Sequence, residues 1–146
     1  MEARSSSDEE ADESGMKPGV TFDTGALIAV ERGRERARKV FQRLRERDIL
    51  ITTPLPVIGE WWRGQTDWRE KILTAVWIEP LTLHTVKLAG EALASLSSQR
   101  KGRGPGIVDA IVMASAASRG DVVYTGDLDD LERLASFFPE VRVLSL

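Results

Sequence analysis

The sequence predicts an α/β domain in three layers, a five-stranded parallel sheet with helices on both faces. Three observations carry that expectation. Apolar, strand-like runs alternate with helical periodicities along nearly the whole chain after the first 15 residues. The strand runs are almost continuously apolar or β-branched rather than alternating in and out, the pattern of strands buried on both faces. A length of 146 residues, with 42% hydrophobic and 29% charged side chains, suits one such core plus a short tail.

The elements follow in order. Val20-Thr21-Phe22 reads as a strand that stops at Asp23-Thr24-Gly25. Ala26–Val30 begins a short helix that Gly33 interrupts. Ala37, Val40, Phe41 and Leu44 fall at i, i+3, i+4, i+7, an amphipathic helix with an arginine-rich outer face. Ile49–Thr53 is the second strand, and Pro54 and Pro56 stand at the start of a helix carrying Glu60, Trp61 and Trp62. Thr66 and Asp67 open a helix over residues 68–75, and Val76-Trp77-Ile78 is the third strand, stopped by Pro80. Val86, Ala89, Leu93 and Leu96 mark a long helix. A basic, glycine-rich loop (97–106) leads to the apolar helix Ile107–Ala117. Asp121–Thr125 is the fourth strand, Asp129–Phe138 a helix and Val141–Leu144 the last strand. Ligands of such sheets bind beyond the carboxyl ends of the strands, so the site is expected there.

Composition excludes several chemistries. There is no cysteine, hence no disulfide, zinc ribbon, iron–sulfur cluster or thiol nucleophile. His84 is the only histidine, so a resident metal must be held by oxygen, which selects magnesium, manganese or calcium. No apolar run reaches the length of a membrane span, and the acidic N-terminus does not resemble a secretory signal; the expected location is the cytoplasm. The net charge of −3 hides a split. Residues 1–15 carry six acids and one base, and the remainder is net basic. The two parts are therefore read as a dispensable acidic disordered tail (1–15) and a single domain (16–146) that begins at Met16.

Acids mark the carboxyl edge. Asp23 ends the first strand and Asp127 follows the fourth. Asp109 stands near the start of a helix whose other residues are apolar or small, where an unpaired buried charge costs several kcal/mol and the helix N-terminus returns only about 0.3–1 kcal/mol. Glu60 lies between Ile58 and Trp61-Trp62. If the four converge at about 4 Å, each like-charged pair costs roughly 4 kcal/mol at an effective dielectric of about 20. No base lies within three residues of Asp23 or Asp109 to relieve this locally, whereas a divalent cation would relieve it. Such a centre supports water attack on a phosphodiester. Taken alone, a strand-end aspartate is a turn residue, Asp129 and Asp130 supply the cap and first-turn charge of their helix, and Glu60 is weak. The ordered set carries the weight.

That set resembles the PIN-domain ribonucleases, most closely the VapC-type toxins of toxin–antitoxin pairs. The matching segments are Phe22-Asp23-Thr24-Gly25-Ala26-Leu27-Ile28-Ala29, Gly59-Glu60-Trp61-Trp62-Arg63-Gly64, the run from Asp109 to Ala116, and Thr125-Gly126-Asp127-Leu128-Asp129-Asp130-Leu131. The resemblance spans residues 18–146. It implies a PIN-like α/β/α fold and a magnesium- or manganese-dependent endoribonuclease. It also implies a homodimer neutralised by an antitoxin. Position by position it implies that Asp23, Glu60, Asp109 and Asp127 form the acidic site. Asp23, Asp109 and Asp127 would hold metal, Glu60 would bind directly or through water, and Asp130 is a less constant further acid. Thr125 matches a hydroxyl residue that places water or phosphate. Trp61 stands where many relatives carry leucine, and Leu131 where an aromatic is common.

RNA needs cations. Lys101, Arg103 and Arg63 are candidate phosphate contacts. The basic segment from Arg32 to Arg47 is expected to be a salt-bridged solvent face, with docking of RNA or an acidic antitoxin segment as its rival. A phosphoacceptor receiver domain and a haloacid-dehalogenase-type phosphatase are disfavoured. The first needs adjacent acids and a late lysine, and the second needs Asp-x-Asp where Gly25 stands. A PIN nuclease for RNA processing and a non-catalytic binding module stay open as alternatives.

Overall fold

The computed structural model describes residues 18–96 and 104–146. The acidic segment 1–15, Lys101 and Arg103 lie outside the described residues. Five parallel strands, β1 (Val20–Phe22), β2 (Ile51–Pro54), β3 (Trp77–Glu79), β4 (Val122–Thr125) and β5 (Val143–Ser145), stand in the order β3-β2-β1-β4-β5. The helices are α1 (Thr24–Glu31), α2 (Glu35–Glu46), α3 (Leu55–Trp61), α4 (Asp67–Ala75), α5 (Leu83–Leu96), α6 (Ile107–Arg119) and α7 (Leu128–Leu134). The three-layer α/β expectation holds. Helices α1 to α4 pack with one another on one side, and α5 to α7 on the other.

The central strand explains the continuous apolar runs. Phe22 is fully buried and meets Phe41 of α2 and, edge-on, Tyr124 of β4. The next residue back, Thr21, points the other way, toward α6. There its hydroxyl donates to Asp121 Oδ2 (2.8 Å) and accepts from Arg119 (2.8 Å). Arg119 also pairs with Asp121 (3.0 Å) and Glu79 (2.6 Å), and Ser115 donates to Glu79. This lock fastens α6 to strands β1 and β3.

Element boundaries shift slightly from expectation. The second and third strands start later, at Ile51 and Trp77, and β5 covers Val143–Ser145. The last helix stops at Leu134, and residues 135–140 form turns. Asp121, expected to open the fourth strand, is instead buried with both carboxylate oxygens occupied. Gly33 adopts φ of 80°, the left-handed turn that separates α1 from α2.

The chain leaves β1 toward β2 and leaves β4 toward β5, on opposite sides. Neighbouring strands whose connections diverge open a crevice at their carboxyl ends. That crevice lies between Asp23 and Asp127.

Candidate active site at the carboxyl edge

Asp23 caps α1. Its extended backbone places Oδ1 to accept the Ala26 N–H at 2.8 Å and the Gly126 N–H at 3.4 Å. Oδ2 accepts the Thr125 hydroxyl. The residue is buried, and burial pushes its carboxyl above the ordinary carboxylate range; Asp127 pushes the same way, while the three hydrogen bonds oppose. Thr125 does two things at once, because its oxygen also accepts the Asp127 N–H at 2.8 Å. One hydroxyl therefore joins the ends of β1 and β4.

Asp127, not Asp129, caps α7: its Oδ1 accepts the Asp130 N–H at 3.4 Å. Asp129 and Asp130 supply first-turn charge, as expected. The cap position moves because the helix begins at Leu128 directly after the crevice turn.

Asp109 lies in the first turn of α6 and accepts the Gly106 N–H at 3.0 Å through Oδ2. Its pKa is pushed up to about 6, mostly by burial and further by the nearby charges of Asp130, Asp23 and Glu60. These carboxylates therefore share one electrostatic neighbourhood across four elements. Glu60 is exposed on α3, where it accepts the Thr24 hydroxyl at 2.6 Å. None of Asp23, Glu60, Asp109 and Asp127 has an ion-pair partner among the described residues.

Among the described residues no three acids or imidazoles are drawn into a ready metal cage. Each carboxylate has an oxygen engaged by a nearby N–H or hydroxyl. The donor set nonetheless fits a hard cation: it is all oxygen, partly buried and self-repelling. Asp23 and Asp109 stand raised by burial first and by neighbouring carboxylates second.

Trp61, Trp62 and Trp68 serve packing. Trp61 is buried and donates its indole N–H to Glu31 at 2.9 Å, and Glu31 also holds Arg69 at 2.8 Å. Trp62 stands edge-on to Trp61, and Trp68 lies under the Arg38 guanidinium at 3.7 Å. Arg63 is exposed, and its guanidinium donates to the Trp62 carbonyl at 2.9 Å. Sequence reading missed Thr24 as a partner of Glu60. It also missed the Arg119–Asp121–Glu79 lock. Only the lone arginine at the end of an apolar helix hinted at the lock.

The family model described as PIN domain matches residues 20–136. No curated protein matches the sequence. Solved structures share the fold. VapBC from Salmonella typhimurium bound to DNA is 20% identical with a TM-score of 0.67, covering 88% of this chain and 98% of that one. VapBC2 from Rickettsia felis, bound to a DNA fragment from its promoter, is 13% identical with a TM-score of 0.67 and covers 87% and 98%. VapBC-1 from nontypeable Haemophilus influenzae is 16% identical with a TM-score of 0.60, covering 86% and 96%. With the four acidic positions standing about one crevice at the carboxyl edge, and with the family match running from β1 through α7, the chain belongs to the PIN domain family.

Proposed function

We propose that the protein is a divalent-metal-dependent endoribonuclease and the toxin of a toxin–antitoxin pair, acting in the cytoplasm. One observation carries the reading: Asp23, Asp109, Asp127 and Glu60 stand about one crevice, repel one another and have no ion-pair partner among the described residues. A cation supplied from solution fills that role. In this reading Asp23, Asp109 and Asp127 hold Mg²⁺ or Mn²⁺, and Glu60 joins directly or through water; Asp130 is a further acid at the rim. The bound metal would supply Lewis acidity toward a phosphodiester and acidify water.

The chain's own groups do the rest. Thr125 holds Asp23 and the turn before Asp127 in one register. Thr24 keeps Glu60 over the first turn of α1. Arg63, with Lys101 and Arg103, contacts substrate phosphate. No histidine is needed as a base, and His84 is exposed at the start of α5. The products are a 5′-phosphate and a free 3′-hydroxyl. The antitoxin partner is supported by the likeness to VapBC structures. A homodimer is supported by exposed Trp77, Leu81 and Leu83 beside the edge strand β3.

Induced expression of the wild type and Asp109→Asn tests the reading. Growth arrest and new discrete RNA ends are expected with the wild type alone, and purified wild type is expected to lose cleavage in excess EDTA. Equal toxicity of Asp109→Asn, or cleavage that survives EDTA, overturns it.

A further inference from the structure

We propose that the groove between α2 and β4 is a track for single-stranded RNA leading to the carboxyl-edge site; this rests on the nuclease reading above. The groove has a volume of about 690 Å³. One wall carries Arg36, Lys39 and Arg43, and the floor is Val40, Leu44 and Tyr124. The expected salt-bridged face of α2 is mostly absent. Glu35 pairs with Lys39 at 3.0 Å, but Arg36 and Arg43 have no carboxylate partner among the described residues.

Position and spacing select a linear polyanion. Arg36 and Arg43 are seven residues apart on one helix, so the row of cations runs about 10.5 Å. Its N-terminal end lies at the carboxyl edge of the sheet, the edge that carries the acids. Arg36 donates to the Ser145 carbonyl at 3.4 Å, and Ser145 pairs in register with Thr125, the residue that binds Asp23. Adjacent strands lie about 4.8 Å apart. A strand of RNA laid in the groove thus has its phosphates on three cations and one end beside the acids. Tyr124, half-buried and edge-on to Phe22, offers an aromatic surface to a base. The approach of this row to the carboxyl edge, where the four acids stand, favours the nuclease's own substrate over an acidic protein segment.

The test is made in the Asp109→Asn chain, so that no RNA is cut. Binding of a single-stranded 20-mer is measured against salt, with and without Arg36→Gln/Lys39→Gln/Arg43→Gln. The triple change should weaken binding at least about tenfold at moderate salt and lower the log–log salt slope by about 2, near 0.7 per lost phosphate contact. A control that removes the same charge elsewhere, Lys71→Gln/Lys87→Gln/Arg142→Gln, should leave most of the affinity. A 4-thiouridine-substituted RNA should crosslink to α2 or Tyr124. Equal losses in both variants, or crosslinks confined to other segments, overturn the proposal. So does a triple variant that keeps RNA affinity while losing an antitoxin, which would make the groove a protein interface. Because binding is read without cleavage, failure of the nuclease reading would show separately, as wild type that binds RNA and does not cut it.

Discussion

Gly25 and Gly126 meet backbone to backbone at the mouth of the crevice. A β-carbon built on Gly25 would stand 2.7 Å from the Cα of Gly126, and one on Gly126 would stand 2.8 Å from the Cα of Gly25. Each glycine lies beside a site residue: Gly25 is two residues after Asp23, and Gly126 precedes Asp127. The closeness of the two turns is what lets Asp23 accept the Gly126 N–H and the Thr125 hydroxyl together.

Alanine at Gly25 therefore pits two effects against each other. Helix propensity favours it by at most about 1 kcal/mol. Overpacking against rigid backbone costs about 1–3 kcal/mol. Gly25→Ala and Gly126→Ala are both expected to lower stability in urea unfolding, and to reduce Mn²⁺ affinity in calorimetry as the turns separate. A stabilised Gly25→Ala would show that the contact is soft.

Thr125→Val keeps the shape of the strand end and removes the hydroxyl that Asp23 and the Asp127 N–H share. Groups that orient ligands in this way are worth about 10–100-fold in metal affinity. That loss is expected by titration with Mn²⁺, with recovery in Thr125→Ser.

The pH dependence follows from Asp109. Its pKa is about 6 in the fold and about 3.9 in an unfolded chain. Between those values the native state holds the extra proton, so the metal-free protein loses stability as pH rises from about 4 to 6 and stays at the lower level above. Asp23, raised too, adds to the trend. In EDTA at pH 7, Asp109→Asn should melt above the wild type, and the gap should close toward pH 4. Mg²⁺ should raise the melting temperature of the wild type more than that of Asp109→Asn, and increasingly so above pH 6.

Thr24 tests how Glu60 is placed. Hydrogen bonds to charged groups contribute about 1.5–3 kcal/mol. Thr24→Val should lower RNA cleavage about tenfold or more while leaving circular dichroism unchanged, and Thr24→Ser should restore it. Unchanged cleavage in Thr24→Val would remove Glu60 from the working site.

Arg119 is the hub of the lock beneath the sheet, with its side chain 9% exposed. Arg119→Met leaves Asp121 and Glu79 without their cation. Breaking one partner of a buried ionic set costs about 3–5 kcal/mol. Chemical denaturation should show a loss of that size.

Much of the architecture was legible from periodicity. Strands buried on both faces demand runs such as Val20-Thr21-Phe22 and Val122–Thr125, and Thr66 announced its helix by the local chemistry of a cap that accepts the Arg69 N–H. The four acids stood out because a charge in an apolar run is costly wherever the run ends up. Most boundaries drifted by one or two residues, and the last helix ended four residues before the expected Phe138, because helix and strand ends are set by competition among caps and turns. Hence Asp127 took the cap expected of Asp129.

Partnerships across the chain were not legible. Thr125 reaches Asp23 over 102 residues, and Thr21 reaches Asp121 over 100. The order of strands decides these meetings by setting β4 beside β1. Asp121 and Asp23 are both buried with both oxygens hydrogen-bonded, yet Asp121 lies against the Arg119 cation while Asp23 lies against the Asp127 carboxylate. Likewise the charges of α2 line a groove rather than a salt-bridged face, since among the described residues Glu35 alone forms an ion pair with a cation of that helix. Local sequence records how much burial each residue requires. Which side chain meets it there depends on loop closures of a hundred residues, and only the packed sheet makes those.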